Sequence, residues 1–291
     1  MKSISLLLFL LLAFSCQQGE HRTSSESGVA EAPAKIISLS GFLTELLCEM
    51  GHKDQLVGRD VTSTYPADVQ SLPSLGHISQ LNMEAVLALQ PDVILLEAEQ
   101  MGRAKGLSKL TEAGIQLISV PTSKTLDNSL RAAAFIREHL AGDEAAIGKI
   151  QAQITKDSLA LAEQLANQIE KPRVLFLYAR GAGRLMVGGR HTAAEAIIEK
   201  AGGQNALTSF DDYKPLTPEA LVEAAPDVIL MFKSGLASLD GKEGLSQITG
   251  ISQTPAYQND RIVAMDGHYL TAFGPRVGQA ARELANKIHD N

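Results

Sequence analysis

The side chains best suited to binding chemistry are one tyrosine, three arginines and two histidines. They are Tyr65, Arg59, Arg180, Arg276, His77 and His191. A tyrosine oxygen suits a hard ferric ion, a guanidinium pairs with a carboxylate through two hydrogen bonds, and imidazole serves readily as a ligand. Each could instead be an ordinary packed or solvent-exposed side chain. Their surroundings in the sequence have to decide between these interpretations.

Three of these residues follow predicted β-strands. Tyr65 lies in a loop after the second predicted strand, Arg180 comes directly after the strand at 173–178, and Arg276 follows the last predicted strand. Ligands of α/β proteins bind at the carboxyl ends of the strands. We therefore expect Tyr65 at a binding cleft, with Arg276 facing it, while Arg59 is close enough in sequence to stabilise a tyrosinate.

An internal repeat predicts the architecture that positions these residues. Residues 81–96 read LNMEAVLALQPDVILL and residues 216–231 read LTPEALVEAAPDVILM, and a weaker echo relates 45–51 to 195–202. Each strong copy is a short helix, a Pro-Asp pair that stops it, and an apolar run typical of a buried parallel strand. The repeat predicts two similar α/β lobes with parallel sheets and right-handed crossovers.

The predicted lobes are joined by a single helix. Predicted strands lie at 36–39, 56–57, 93–96, 117–120, 173–178, 228–231 and 262–265, with an early helix at 44–50. Residues 143–170 are almost all helix-favouring, and at 1.5 Å per residue they would span roughly 40 Å. The chain therefore divides into a lobe at 34–141, a backbone helix at 142–171 and a lobe at 172–291. The predicted fold is two Rossmann-like lobes around an interlobe cleft.

The first residues are typical of an export signal. Lys2 precedes a short apolar run at 6–14, and the small Ser15 stands just before Cys16. The run is too short to span a bilayer, so we interpret 1–16 as a lipoprotein signal with Cys16 acylated, and the polar stretch 17–33 as a flexible tether. An ordinary signal peptide with an incidental cysteine is the alternative, because Ala13 stands where a lipoprotein signal usually has leucine. Cys48, among apolar neighbours, is predicted to be buried and inert.

Composition and missing motifs exclude several functions. The chain has 291 residues and a formal net charge of −7 with no basic run, which argues against nucleic-acid binding. The glycines Gly181 and Gly183 lack the third glycine of a dinucleotide fingerprint, because Met186 stands there, and neither a P-loop nor a nucleophile-elbow motif is present. The seven histidines form no close pair typical of a zinc site. We predict that the protein is not an enzyme.

Several motifs carry a family resemblance. They are IISLSGFLTELLCEMG, LVGRDVTSTYP, LGHISQLNMEAVLALQPDVIL, LMVGGRHTAAEAIIEKAGGQNAL, LTPEALVEAAPDVIL and FGPR. From about Lys35 onward, the chain resembles the helical-backbone class (class III) of periplasmic substrate-binding proteins, which serve importers for vitamin B12, ferric siderophores and haem. The combination of STYP, the GG-HTAAEAII stretch and FGPR resembles the haem-binding branch most closely.

The resemblance implies that haem is the transported ligand rather than a catalytic cofactor. It makes Tyr65 the axial ligand of the haem iron, and arginines such as Arg59, Arg180 and Arg276 suit the two haem propionates. An arginine at position 180 argues against a second axial ligand there, whereas His77 or His191 could approach the iron or donate a hydrogen bond.

The resemblance also implies a membrane partner. Glu84 and Glu219, equivalent in the repeat, would project from the tips of the two lobes and contact arginines of an ABC permease dimer with its ATPase. Otherwise they are helix N-terminal acids stabilised by the helix dipole. The protein would be an exported, monomeric lipoprotein of the periplasm or cell envelope. The alternatives are a cobalamin or ferric-siderophore binder of the same class, and a haem scavenger or relay that never meets a permease and needs no paired tip acids.

Overall fold

The apolar runs of the sequence form two sheets in the computed structural model, which describes residues 35–140 and 143–290. The predicted signal segment, the tether and Cys16 lie outside the described residues. In the described part, no helix has the length and apolar character needed to cross a membrane.

The N-terminal lobe is a sheet of four parallel strands in the order β2-β1-β3-β4. The strands are β1 (Ile36–Ser38), β2 (Leu56–Arg59), β3 (Val93–Glu97) and β4 (Gln116–Val120). The helices are α1 (Gly41–Glu49), α2 (Met83–Ala88), α3 (Leu107–Glu112) and α4 (Asn128–Arg137). Neighbours along a strand, such as Ile36 and Ile37, are fully buried in separate apolar clusters on the two faces. Burial on both faces explains why these strands are continuous aliphatic runs.

The backbone helix α5 (Glu144–Leu165) is shorter than predicted. The side chain of Asp143 caps its N-terminus, but the helix ends five residues before position 170, after roughly 33 Å. Helices of this kind depend on packing of an apolar face. Beyond Leu165 the chain loses that packing, and Ile169 is 94% exposed.

The C-terminal lobe has a mixed sheet in the order β10-β9-β5-β6-β8, with β7 pairing β5. The strands are β5 (Arg173–Ala179), β6 (Leu185–Gly188), β7 (Gln204–Asn205), β8 (Tyr213–Pro215), β9 (Val228–Phe232) and β10 (Ile262–Met265). The helices are α6 (Ala193–Lys200), α7 (Pro218–Ala224), α8 (Lys233–Ala237), α9 (Gly241–Ser246), α10 (Pro255–Gln258), α11 (Gly267–Thr271) and α12 (Val277–His289). The predicted strands β5, β9 and β10 are parallel. The strands β6 and β8 were not predicted, and β6 is antiparallel to both of its neighbours, β5 and β8.

The Pro-Asp pair of each repeat makes the same contact in both lobes. Asp92 accepts a hydrogen bond from the backbone N–H of Lys35 at 2.9 Å, just before β1. Asp227 accepts the equivalent bond from the N–H of Arg173 at 2.8 Å, at the start of β5. Each aspartate thus ties the first strand of its lobe to the strand that follows the repeat helix, which explains why the pair recurs.

Candidate functional site

Tyr65 and Arg276 come together where the two lobes face each other. A cavity of about 330 Å³ lies between the two lobes. It is lined by Thr64, Tyr65 and Gln70 of the N-terminal lobe and by Asp266, Tyr269 and Arg276 of the C-terminal lobe. The Tyr65 side chain is 37% exposed. The guanidinium carbon of Arg276 lies 3.4 Å from the centre of the Tyr65 ring, a close cation–π contact. The phenol therefore borders an open groove rather than the interior of one lobe.

The loop that carries Tyr65 is fixed by a buried aspartate. Asp60 is 2% exposed and accepts hydrogen bonds from the Thr62 hydroxyl at 2.6 Å and from the Ser63 backbone N–H and hydroxyl at 3.1 and 2.7 Å. Gln70 donates to the carbonyl of Thr64 at 2.9 Å. Because these bonds bracket Tyr65, its backbone is held before any ligand arrives.

Arg59 donates its hydrogen bonds within the segment that carries Tyr65, and its predicted role beside a ligand stays a prediction. Its guanidinium donates to the backbone carbonyls of Val69, Asp60 and Gln70 at 3.0, 3.1 and 3.0 Å. An arginine has five N–H donors, and three of these are engaged within the Tyr65 loop. Arg59 therefore stabilises the loop, and its fork is not directed at a carboxylate.

Arg276 binds a buried carboxylate of the opposite lobe. Its Nε and Nη2 donate to the two oxygens of Glu45 at 2.8 and 2.9 Å, and His268 Nε2 lies 2.7 Å from Glu45 Oε2. The Glu45 side chain is 2% exposed. Burial by itself would raise the pKa of Glu45, but hydrogen bonds and charge from Arg276 and His268 outweigh it and lower that pKa. Glu45 is therefore an ionised partner of Arg276 across the interlobe boundary.

Glu45 and His268 were not among the predicted site residues. Glu45 lies in α1 among the buried residues Phe42, Leu43, Leu46 and Leu47. An acid in such an apolar stretch needs a partner, because an unpaired buried charge is very costly. The sequence therefore indicates that Glu45 has a charged or polar partner. It does not show that this partner is Arg276, 231 residues away.

The remaining predicted ligands lie away from these contacts. Arg180 is exposed, with its guanidinium 5.5 Å from the Tyr178 ring centre. His77 accepts a hydrogen bond from the N–H of Ser79 at 3.2 Å and so caps the short 3-10 helix Ile78–Gln80. The ring of His191 is 3.6 Å from Asp211. Neither histidine lines the cavities beside Tyr65, so their predicted approach to a ligand stays a prediction.

An aromatic cluster lies at the carboxyl ends of β5 and β9. The ring centres of Tyr178 and Phe232 are 5.9 Å apart at 87°, and those of Phe176 and Phe232 are 5.1 Å apart at 67°. Tyr213 contacts Phe176 edge-on at 6.2 Å. Phe176 is fully buried, so the faces that this cluster could present to a flat ligand are those of the partly buried Tyr178 and Phe232.

Two other tyrosines are poor sources of a phenolate oxygen. Burial raises the pKa of Tyr213 to about 12, although a hydrogen bond with Thr192 acts in the opposite direction. Burial also raises the pKa of Tyr269, which shares the cavity with Tyr65. Metal–phenolate binding requires loss of the proton, so these shifts favour neither residue as an iron ligand.

Glu84 and Glu219 occupy matching surface positions. Each is exposed and is the second residue of its helix, beside a capping side chain: Asn82 accepts from the N–H of Ala85 at 3.0 Å, and Thr217 accepts the matching bond at 3.2 Å. Each helix leads back to the start of the next strand, so its N-terminus lies at the carboxyl edge of the sheet. Both acids therefore lie on the cleft side of their lobes.

Known proteins resemble this chain over most of its length. A family model described as periplasmic binding protein matches residues 36–269. The periplasmic haem-binding protein RhuT from Roseiflexus sp. RS-1, in apo form, superposes with a TM-score of 0.83 at 34% identity, covering 88% of this chain and 98% of that one. The periplasmic haem-binding protein HutB of Vibrio cholerae gives a TM-score of 0.74 at 32% identity and the same coverage. A cobalamin-binding protein of Halobacterium salinarum is 26% identical over 268 residues, 89% of this chain and 70% of the relative.

Proposed function

We propose that this chain, which belongs to the periplasmic binding protein family, captures haem between its lobes and delivers it to the importer's permease. It is a substrate-binding protein of an ABC transporter and not an enzyme. The finer assignment, haem as substrate, is supported above all by Tyr65, whose phenol borders the interlobe cavity beneath the guanidinium of Arg276. Tyrosinate is a ligand type that ferric haem accepts.

Cobalamin is the second candidate substrate, because a relative of this chain is named for binding it. The two substrates require different protein groups at the site. Haem presents an iron with free axial positions and a flat ring that stacks on aromatic faces. The cobalt of cobalamin is shielded by its own axial groups, so it has no use for a protein phenolate. Tyr65 and the cluster around Phe232 therefore favour haem.

A parallel absorption titration with ferric haem, cobalamin and a ferric siderophore tests the substrate. We expect ferric haem to bind at one-to-one stoichiometry with a tyrosinate-type spectrum. In Tyr65→Phe the charge-transfer band should disappear and the Soret band should move, with at least a tenfold loss of affinity. Tyr257→Phe is the matched control, since that ring lies beside Lys242, away from the cavity. Unchanged bands in Tyr65→Phe would show the ligand assignment to be wrong, and saturation by cobalamin alone would reassign the substrate.

Delivery and anchoring complete the proposal. Glu84 and Glu219, exposed on the cleft side of both lobes, are proposed to contact the permease dimer. Export and attachment through acylated Cys16 would place the monomeric protein at the membrane where that permease lies. Metabolic labelling with a radioactive fatty acid tests the anchor, which a Cys16→Ser variant should lose.

A further inference from the structure

We propose that Glu45 is a positioning residue: it holds Arg276 flat against Tyr65 and fixes the lobes around the site before a ligand binds. The role in ligand binding rests on the proposed function, whereas the role in fixing the lobes does not. Glu45, Arg276 and Tyr65 form a chain of contacts in which each planar group orients the next.

The geometry leaves Arg276 little freedom. Its guanidinium is bound edge-on by both oxygens of Glu45, at 2.8 and 2.9 Å, while the face of the same group covers the Tyr65 ring at 3.4 Å. A fork between guanidinium and carboxylate specifies the plane of both partners. Since the Arg276 plane is set by Glu45, the Tyr65 ring stacked on it is set as well. The fork that could have bound a propionate is thereby engaged by the protein itself.

His268 holds the other side of the carboxylate. Its side chain is 8% exposed, and its Nε2 lies 2.7 Å from Oε2 of Glu45. His268 belongs to α11 of the C-terminal lobe, as does Tyr269 at the cavity. One acid of the N-terminal lobe therefore holds two separate side chains of the opposite lobe.

The FGPR segment is bound into the N-terminal lobe at a second point. The carbonyl of Phe273 accepts hydrogen bonds from the Asn128 amide at 3.2 Å and from the Ser129 hydroxyl at 3.4 Å, both from α4. Phe273 has a positive φ of 53°, uncommon for a residue that is not glycine. Strain of this kind persists where surrounding contacts determine it. The FGPR segment thus acts as an interlobe lock, and not only as a candidate ligand site.

Side chains that are held in place before binding lower the entropic cost of binding the ligand. When the side chains around a ligand are already ordered, less conformational entropy is lost on binding. Removing the Glu45 charge should let Arg276 and Tyr65 sample more orientations. The haem complex should then dissociate faster, and the free protein should open more often at the segments 62–70 and 273–277.

The variant Glu45→Gln tests this, with Glu195→Gln as control. Glu195 is the equivalent acid in the echo between the halves, and its carboxylate accepts a hydrogen bond from the N–H of His191 at the start of its own helix. We expect Glu45→Gln to release haem at least tenfold faster, to shift the charge-transfer band, and to exchange the amides of 62–70 and 273–277 faster without ligand. The control should show none of these changes.

Arg276→Lys serves if Glu45→Gln does not fold, because it keeps the charge but loses both the fork and the flat stacking surface. A lower melting temperature with unchanged haem release, spectrum and amide exchange would reduce Glu45 to a structural residue and overturn the proposal. If the wild-type protein binds no haem, the proposed function fails, while amide exchange in the free protein still decides whether Glu45 locks the lobes.

Discussion

Glu97 is a half-buried carboxyl group at the end of β3 whose hydrogen-bond partners are neutral. Ser40 and Thr122 donate through their hydroxyls and Gln100 through its amide. Burial raises the pKa of Glu97, and the hydrogen bond from Ser40 offsets only part of that effect. In the unfolded chain the group ionises at its usual, lower pH. Between the two values the folded state holds the extra proton, so stability falls as the pH rises through that interval.

Glu97→Gln should therefore stabilise the protein, and more so at high pH. Above the raised pKa the wild type carries a partly desolvated charge that glutamine lacks. We expect a gain on the order of 1 kcal/mol at pH 8, or about 2–4 °C in melting temperature, and almost none at pH 4. Thermal unfolding from pH 4 to pH 8 measures it, with the exposed Glu112→Gln as control. A loss of stability that is the same at every pH would contradict this account.

Some residues of the site were predictable from sequence and others were not. Tyr65 and Arg276 each follow a strand of their own lobe. Ligands of α/β lobes bind at the carboxyl edges of the sheets, so the position of both residues at the cleft follows from fold class. Their partner Glu45 does not, because a contact across 231 residues depends on how the lobes are oriented. Residue type alone does not distinguish Arg59 from Arg276. Only the conformation of the loop shows that the donors of Arg59 bind backbone carbonyls.

At the scale of elements, the strands were easier to predict than the ends of helices. The strand β10 (Ile262–Met265) has the predicted bounds, because its short apolar run stands between the charged residues Arg261 and Asp266. The helix α5 was predicted too long, since composition continues to favour helix where packing has ended. The strands β6 and β8 were missed because they have only four and three residues and β8 is exposed throughout, so neither shows a strong pattern.

The contact between α5 and α12 gives a test at this scale. A Cβ added to Gly278 in α12 would lie 2.5 Å from the Cβ of buried Asp157 in α5. We expect Gly278→Ala to destabilise the protein by about 1–3 kcal/mol, because the helices must separate. Gly148→Ala, in α5 with open space around it, should instead stabilise by about 0.5–1 kcal/mol through helix propensity. Urea denaturation compares the two, and a stabilising Gly278→Ala would show that the helices can shift freely.

At the scale of the whole molecule, the two halves are alike where they face solvent and different where they meet. The Asp92 and Asp227 contacts and the capped helices with Glu84 and Glu219 are equivalent. By contrast, Glu45 reaches across to the opposite lobe, whereas its counterpart in the echo only caps a helix. Matching exposed acids on the two lobes suit a two-fold symmetric permease, while the asymmetric contacts between the lobes suit a ligand whose metal is bound by a single tyrosine.

The double variant Glu84→Ala with Glu219→Ala tests the symmetric surface. Both acids are exposed and take no part in the cavity, so we expect haem affinity to stay within about twofold. Because charges at an interface set orientation and partner choice, uptake of haem by cells should fall by about tenfold or more. Each single variant should lose less than the pair, since one lobe can still bind its permease subunit.

The control for this experiment is Glu138→Ala with Glu223→Ala, which removes the same number of charges from exposed positions, one in each lobe. Normal uptake by the control and impaired uptake by the test pair would assign the effect to position rather than net charge. Normal uptake by the Glu84 and Glu219 pair would mean that these acids serve only their helices, where the dipole accounts for them. In that case delivery would have to depend on another surface.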